Sequence, residues 1–271
     1  MPFTTRKMPS FEGVAAGQTA TCRLPISRTY NQLQLTYAGA TLAQLNEIRL
    51  VANGEIIQKW TEASKLDSIN QFDGRAAAAG VLVLDLERYG LLTRAAKEVT
   101  AIGTGILDKA VDPNPVTTLA LEVDIDAAAV GPTLSLKAKQ SPAAPVGLVK
   151  KVKEFIYNAG AAGEFEISDL PKGALINRVI FGNHAANVYT KLVVERDNFI
   201  VFERTVAENE VVQSDGVRVP QADYVVFDPT EDGYGSEGLV TQGVADLRFK
   251  VTLTNAGSVP VTVEYIAALE A

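Results

Sequence analysis

Residues 47–74 read EIRLVANGEIIQKWTEASKLDSINQFDG, and residues 190–216 read TKLVVERDNFIVFERTVAENEVVQSDG. Moving the first onto the second by 142 positions (216 − 74) places Leu50 on Leu192, Val51 on Val193, Gln71 on Gln213, Asp73 on Asp215 and Gly74 on Gly216 without a gap. In each copy two apolar runs flank a turn, Asn53-Gly54 or Asp197-Asn198, and a polar amphipathic segment leads to the shared Asp-Gly. Asn-Gly favours a type I′ turn, which needs positive φ at both central residues. Each copy therefore reads as a hairpin, a short helix and a second turn. Trp60 falls on Phe202 in this alignment, and the two are expected to fill one shared core position.

The surroundings of the two copies run in parallel. Apolar and polar residues alternate over 19–26 and 30–37 before the first copy, and over 150–157, 163–170 and 175–181 before the second. Beyond the first copy come the apolar run 81–86, then Leu119, Leu121, Val123 and Ile125 alternating with Ala120, Glu122 and Asp124, then 133–139. Beyond the second come 224–227, then Leu247, Phe249, Val251 and Leu253 in the same alternation. A shift of 128 puts Pro132 on Pro260, each just before a last strand. Each half thus predicts about eight short antiparallel strands with a helix after the central hairpin and no βαβ rhythm. The expected fold is all-β, two tandem eight-stranded jelly rolls; an immunoglobulin-like sandwich lacks that helix.

The expected boundaries are an N-terminal arm over 1–18, a first jelly roll over 19–140, a Pro-rich linker over 141–149 and a second jelly roll over 150–271. The arm is rich in small residues without periodicity, and its Arg6 and Lys7 read as solvated. The linker contains Ser141-Pro142-Ala143-Ala144-Pro145, whose prolines cannot donate to a sheet. Residues 91–116 read as a long loop with a short helix near 91–97 and no equal counterpart in the second half.

The chain has 271 residues, 47% of them hydrophobic, enough for two cores. Its net charge of −7 has the wrong sign for a surface that holds nucleic acid by neutralising phosphates, so no direct nucleic-acid binding is expected. The single cysteine, Cys22, excludes an intrachain disulfide and reads as a small buried apolar residue. The N-terminus has no apolar run of signal-peptide length, and no stretch is long enough to span a bilayer, so synthesis as a soluble protein in a cytoplasm is expected.

The run RLVANGEIIQKWTEASKLDSINQFDGRAAAAG, with LPISRTYNQLQLTYAG before it and VLVLDLERYG and AIGTG after it, resembles the N-terminal domain of the major coat protein of corticoviruses, membrane-containing icosahedral bacteriophages, and their integrated relatives. The resemblance covers about residues 20–105, and the second half is similar in layout and length. It implies a double jelly roll assembling as a homotrimer, a nearly six-sided tile of a virion shell made in the host bacterial cytoplasm. Its implied partners are neighbouring trimers, a vertex protein, and an internal membrane or its proteins. It brings no enzymatic site.

The candidate chemistry is sparse. Asp228, Thr230 and Asp232, followed by Gly233, imitate the first half of a calcium loop, but Leu239 stands where the bidentate Glu belongs. Glu122, Asp124 and Asp126 share one strand face, which reads as a solvated face or, more sharply, as an interchain cation site. No cofactor is required, and calcium is the one structural ion with any candidate ligands. The single histidine, His184, reads as a loop or subunit-contact residue, and one imidazole is too few for a cupin metal centre. Gly103-Thr104-Gly105 lacks the setting and the lysine of a phosphate loop. A two-domain lectin or receptor-binding module is the first alternative to a capsid subunit, and a bicupin-type enzyme the second.

Overall fold

The structure, a computed structural model, describes residues 3–270. The chain divides into two units. The first takes the chain up to Gln71, Arg75–Val152 and the C-terminal residues from Ala267; the second takes Phe72–Gly74 and Lys153–Ile266.

The first unit contains β1 (Thr4–Lys7), β2 (Thr19–Arg23), β3 (Thr29–Ala38), β4 (Leu45–Ala52), β5 (Glu55–Trp60), α1 (Ala63–Phe72), β6 (Val81–Asp85), α2 (Arg94–Glu98), β7 (Leu119–Ile125) and β8 (Thr133–Ser141). One sheet has the order β1-β8-β3-β6 and the other β2-β7-β4-β5. All of these pairs are antiparallel. The second unit contains most of β9 (Leu148–Ala159, whose residues up to Val152 belong to the first unit), β10 (Gly163–Ile167), β11 (Leu175–Phe181), α3 (His184–Asn187), β12 (Tyr189–Arg196), β13 (Phe199–Thr205), α4 (Val206–Gln213), β14 (Val225–Phe227), β15 (Leu239–Val240), β16 (Leu247–Leu253) and β17 (Gly257–Ala268, whose residues from Ala267 belong to the first unit). Its orders are β9-β17-β11-β14, with β15 beside β11, and β10-β16-β12-β13. Strand for strand these orders coincide: β1 matches β9, β5 matches β13, and β8 matches β17. Each unit is a jelly roll of eight matching strands, to which the second adds the two-residue β15.

The alternation read in the sequence is the burial pattern found. Leu119, Leu121, Val123 and Ile125 are buried in β7, as are Leu247, Phe249, Val251 and Leu253 in β16. Each such side chain contributes about 1.5–3 kcal/mol by leaving water. In the second unit Phe181, Phe227 and Phe249 meet near the centre, with ring centroids 5.8 Å and 6.2 Å apart along that chain of contacts.

The two hairpins are anchored alike. Asn53 and Asp197 open the turns, both at φ 50. Asn53 Oδ1 accepts from the Thr117 and Thr118 amides (2.8 and 3.2 Å), and Asp197 Oδ1 from the Ala245 and Asp246 amides (2.9 and 3.0 Å). Each turn therefore pins the chain just before the next strand of its sheet, β7 or β16. At the second turn Gly74 and Gly216 have φ 76 and 83, a backbone region that disfavours a Cβ.

Four expectations differ from what is found. Within the expected arm of 1–18, Thr4–Lys7 is a strand of the first barrel, paired with Lys137–Gln140. Four residues at a sheet edge, three of them exposed, are too short and too polar to show a period. The short helix lies at Arg94–Glu98, started by Thr93, whose Oγ1 accepts from the Ala96 amide, so Leu91 falls outside it. The expected linker 141–149 overlaps the ends of β8 and β9, and the units divide after Val152. The fourth difference is register. Leu50 opposes Gln58 and Val51 opposes Ile56, with Ile57 bulged; Val194 opposes Phe202 and Glu195 opposes Ile200, with Val201 bulged. Ile57 thus matches Val201, Gln58 matches Phe202, and Trp60 matches Arg204. Trp60 is buried and Phe202 packs edge-on against Phe227, but they are not one position.

Candidate assembly surface

The side chains singled out in the sequence are engaged in holding the barrels. Asp228 Oδ2 accepts from Arg218 Nε (2.8 Å), and its Oδ1 accepts from the Thr230 amide and hydroxyl (2.9 and 2.8 Å). Arg218 also donates to the Thr230 and Glu231 carbonyls, so the segment that imitates a calcium loop wraps a guanidinium instead. The first unit carries the same latch. There Arg75 Nε and Nη2 donate to Asp85 Oδ2 at 3.1 and 2.7 Å, just after the shared Asp-Gly. The helix before each latch is fixed in the same way: Asn70 Nδ2 donates to the Val83 carbonyl, and Asn209 Nδ2 and Gln213 Nε2 donate to that of Val226, all at 2.9 Å. The signal for the latch lay in the sequence as an Arg after Asp-Gly and an Asp at the next strand end, in both halves.

The acidic face of β7 is likewise countered from within. Arg49 Nε donates to Glu122 (2.9 Å), and its two terminal nitrogens donate to Asp124 (2.9 and 3.1 Å). Burial pushes the Asp124 carboxyl up, but Arg49 and the Thr19 hydroxyl, together with nearby Lys59, hold it below its ordinary value. Asp126 stands apart, accepting from the Ala128 amide and from Asn46. The face that read as solvated, or more sharply as an interchain cation site, thus carries a guanidinium between Glu122 and Asp124. Among the described residues no group of three or more His, Cys, Asp or Glu side chains is arranged to hold a metal ion.

His184 opens α3; its Nδ1 accepts from the Tyr189 amide (3.1 Å) and its ring stacks on Tyr189. Cys22 is fully buried, donates to the Pro9 carbonyl, and burial pushes its thiol up to about 11. A thiol so placed is a packing residue. Thr104 of the Gly-Thr-Gly stretch exchanges hydrogen bonds with the backbone of Arg28.

Sequence reasoning missed two features. One is a buried ionic cluster in the second unit: Arg178 donates to both Asp73 oxygens (2.8 and 3.2 Å) and to Glu264 (2.8 Å), and Asn177 donates to Glu264 (2.9 Å). Burial alone would lower the Arg178 pKa; Asp73 and Glu264 hold it well above the ordinary value. The other is an exposed apolar edge. Phe199, Ile200 and Val201 of β13 face solvent, next to a cleft of about 490 Å³ whose walls include Phe202, Phe227 and Leu239 and whose rim carries Asp232 and Glu237. Exposed apolar surface rimmed by charge marks an association surface.

The chain is 24% identical to the major capsid protein P2 of Pseudoalteromonas phage PM2 over 263 residues, 95% of this chain and 94% of that protein. The crystal structure of that capsid protein superposes with a TM-score of 0.89 at 23% identity, covering 99% of this chain and 98% of that one. The Sulfolobus turreted icosahedral virus structure gives 0.71 at 10% identity (98% and 91%), and the PBCV-1 virus capsid 0.63 at 8% identity (98% and 93%). Residues 5–141 match the N-terminal domain of viral coat protein P2 and residues 149–269 match its C-terminal domain. The repeated jelly roll and both domain matches agree, and the chain belongs to the viral coat protein P2 family, as a structural subunit of a viral capsid.

Proposed function

We propose that the chain is the major capsid subunit of a tailless icosahedral bacteriophage or provirus, working as a homotrimer with no catalytic activity and no required cofactor. The observation that carries this reading is the duplication itself. Two matching barrels in one chain give three chains six similar sides, so one gene product fills sixfold-like positions of a shell. Neighbouring trimers, a vertex protein and an internal membrane or its proteins complete the list of partners, and the assembled protein resides in the virion after synthesis in the host bacterial cytoplasm. Arg218 pairs with Asp228, and Arg49 with Glu122 and Asp124, so three of the carboxylates a structural calcium would draw on already have a cation, which supports assembly without metal.

Light scattering on the purified full chain tests this directly. The expected mass at micromolar concentration is three chains, unchanged by calcium or by a chelator, and electron micrographs should show six-sided particles. A stable single chain would overturn the reading, and a trimer that dissociates on chelation would overturn its metal-free part.

A further inference from the structure

We propose that the outer edge of β13 receives strand β1 of a second copy of the chain, repeating between copies the parallel pairing that the start of β9 makes with β5. This rests on the capsid reading and adds to it the surfaces that join the copies.

Within the first unit β5 is covered. Gln58 lies opposite Val152 in parallel, Gln58 Nε2 donates to the Lys150 carbonyl (3.2 Å), and the Lys151 ammonium pairs with Glu55. There the bulged Ile57 is 1% exposed, while Ile56, which matches Ile200, stays 46% exposed. β13 is the strand that matches β5, with the same bulge, and among the described residues no strand lies along its outer edge. The bulged Val201 is 42% exposed, Ile200 57% and Phe199 75%. The covering strand β9 matches β1, and β1 is itself the outermost strand of its sheet, with Thr5, Arg6 and Lys7 exposed. One chain therefore presents one bare edge of each kind. Unpaired backbone N–H and C=O groups on such an edge accept another strand.

Charge selects the same pairing. Lys151 of the covering strand finds Glu55 on β5, and the cleft adjoining the edge of β13 is lined by the exposed Asp232 and Glu237, opposite in sign to Arg6 and Lys7 of β1, with Arg196 the one basic residue in its lining. The apolar stems of Arg6 and Lys7 suit walls made by Val201, Phe202 and Leu239. A contact between two different surfaces of the same chain is head-to-tail, and it ends only when a ring closes.

Paired cysteines test the geometry. In the full chain, Thr5→Cys combined with Ile200→Cys should give disulfide-linked multimers under mild oxidation, because bridged Cα atoms lie within about 7 Å; buried Cys22 does not compete. Each single variant should stay at the mass of one chain on a denaturing, non-reducing gel. Independently, R6E/K7E should reduce the native multimer to single chains by light scattering, and D232K/E237K added to it should restore the multimer. If the native chain is multimeric but the cysteine pair does not link and R6E/K7E keeps the native mass, this inference fails and the capsid reading stands. A native chain that is monomeric at micromolar concentration sinks both.

Discussion

Ile57 and Val201 stand at the same bulge of the same hairpin, one in each barrel, and one is buried while the other faces water. The hairpins share a positive-φ first turn residue, an anchor to the chain before the next strand, a following helix and an Arg–Asp latch. Local structure is therefore set by the repeated sequence signals, whereas exposure is set by whatever runs alongside. In the first barrel that is the chain around Lys150–Val152. The second barrel has the same need and meets it with nothing among the described residues, which is why its edge is the place where association is expected.

The comparison breaks most sharply one strand away. β3 and β11 carry matching bulges at Asn31 and Asn177, and the next residue is Gln32 in one and Arg178 in the other. Gln32 donates a single hydrogen bond to Asp85, while Arg178 holds Asp73 and Glu264 in a buried cluster. Arg178→Met removes the cation shared by two buried carboxylates, Glu264 keeping its hydrogen bond from Asn177, and should cost ~3–5 kcal/mol of stability in chemical denaturation. Gln32→Met leaves Asp85 its Arg75 partner and should cost about 1 kcal/mol. Equal losses would mean that the two bulges are energetically alike despite their charges.

The next effect separates the hairpin strands. Ile57→Ala removes a fully buried side chain and should cost ~2–4 kcal/mol. Val201→Ala in a dissociated chain should cost less than about 0.5 kcal/mol, as exposed substitutions do. In the assembled protein the Val201 effect should grow. A Val201 variant that destabilises the lone chain as strongly as Ile57→Ala would show that its exposed side chain is packed after all.

What was legible follows the same division. Alternation marked the strands of both barrels because half-buried strands repeat every two residues, and Asn53-Gly54 marked a turn because few residue pairs accept its φ values. The gapless alignment nevertheless placed Leu50 on Leu192, where the structure matches it with Val194. A slip of two residues leaves every side chain on its proper face, so alternation is blind to it. Trp60 was matched with the wrong residue for that reason. Thr4–Lys7 was unreadable because an edge strand of four residues has no pattern to show. Asp228 was read through its neighbours, Thr230 and Asp232, when its partner was Arg218, ten positions earlier, in the repeat of Arg75 and Asp85.

The turn anchors should behave alike where the strands do not. Asn53→Ala removes acceptor bonds to the Thr117 and Thr118 amides and puts alanine at φ 50; Asp197→Ala does the same at Ala245 and Asp246. Each should lose about 1–2 kcal/mol, the sum of an anchoring hydrogen bond and a left-handed backbone that alanine disfavours. Thermal melts that separate the two by much more than this would mean that one turn holds its barrel and the other does not.

The smallest effect is the response to acid, and it tests whether both barrels draw on the same kind of charge. Burial pushes the Asp215 carboxyl up, but the Arg218 and Val217 amides and the Arg218 guanidinium hold it below its ordinary 3.8; Arg49 and Thr19 do the same for Asp124. A carboxyl whose folded pKa lies below its unfolded one binds fewer protons when folded, so its contribution is complete above about pH 4 and fades as pH falls through the folded value. Melting temperatures measured from pH 7 to pH 3 should therefore drop at the acid end. Asp215→Asn and Asp124→Asn should each melt lower than the native chain at pH 7, by a margin that narrows as the pH falls below 3.8 and through the folded values of the native carboxyls. A variant that stays below the native protein by the same margin at both ends would assign its loss to the missing hydrogen bonds, with no part for the charge.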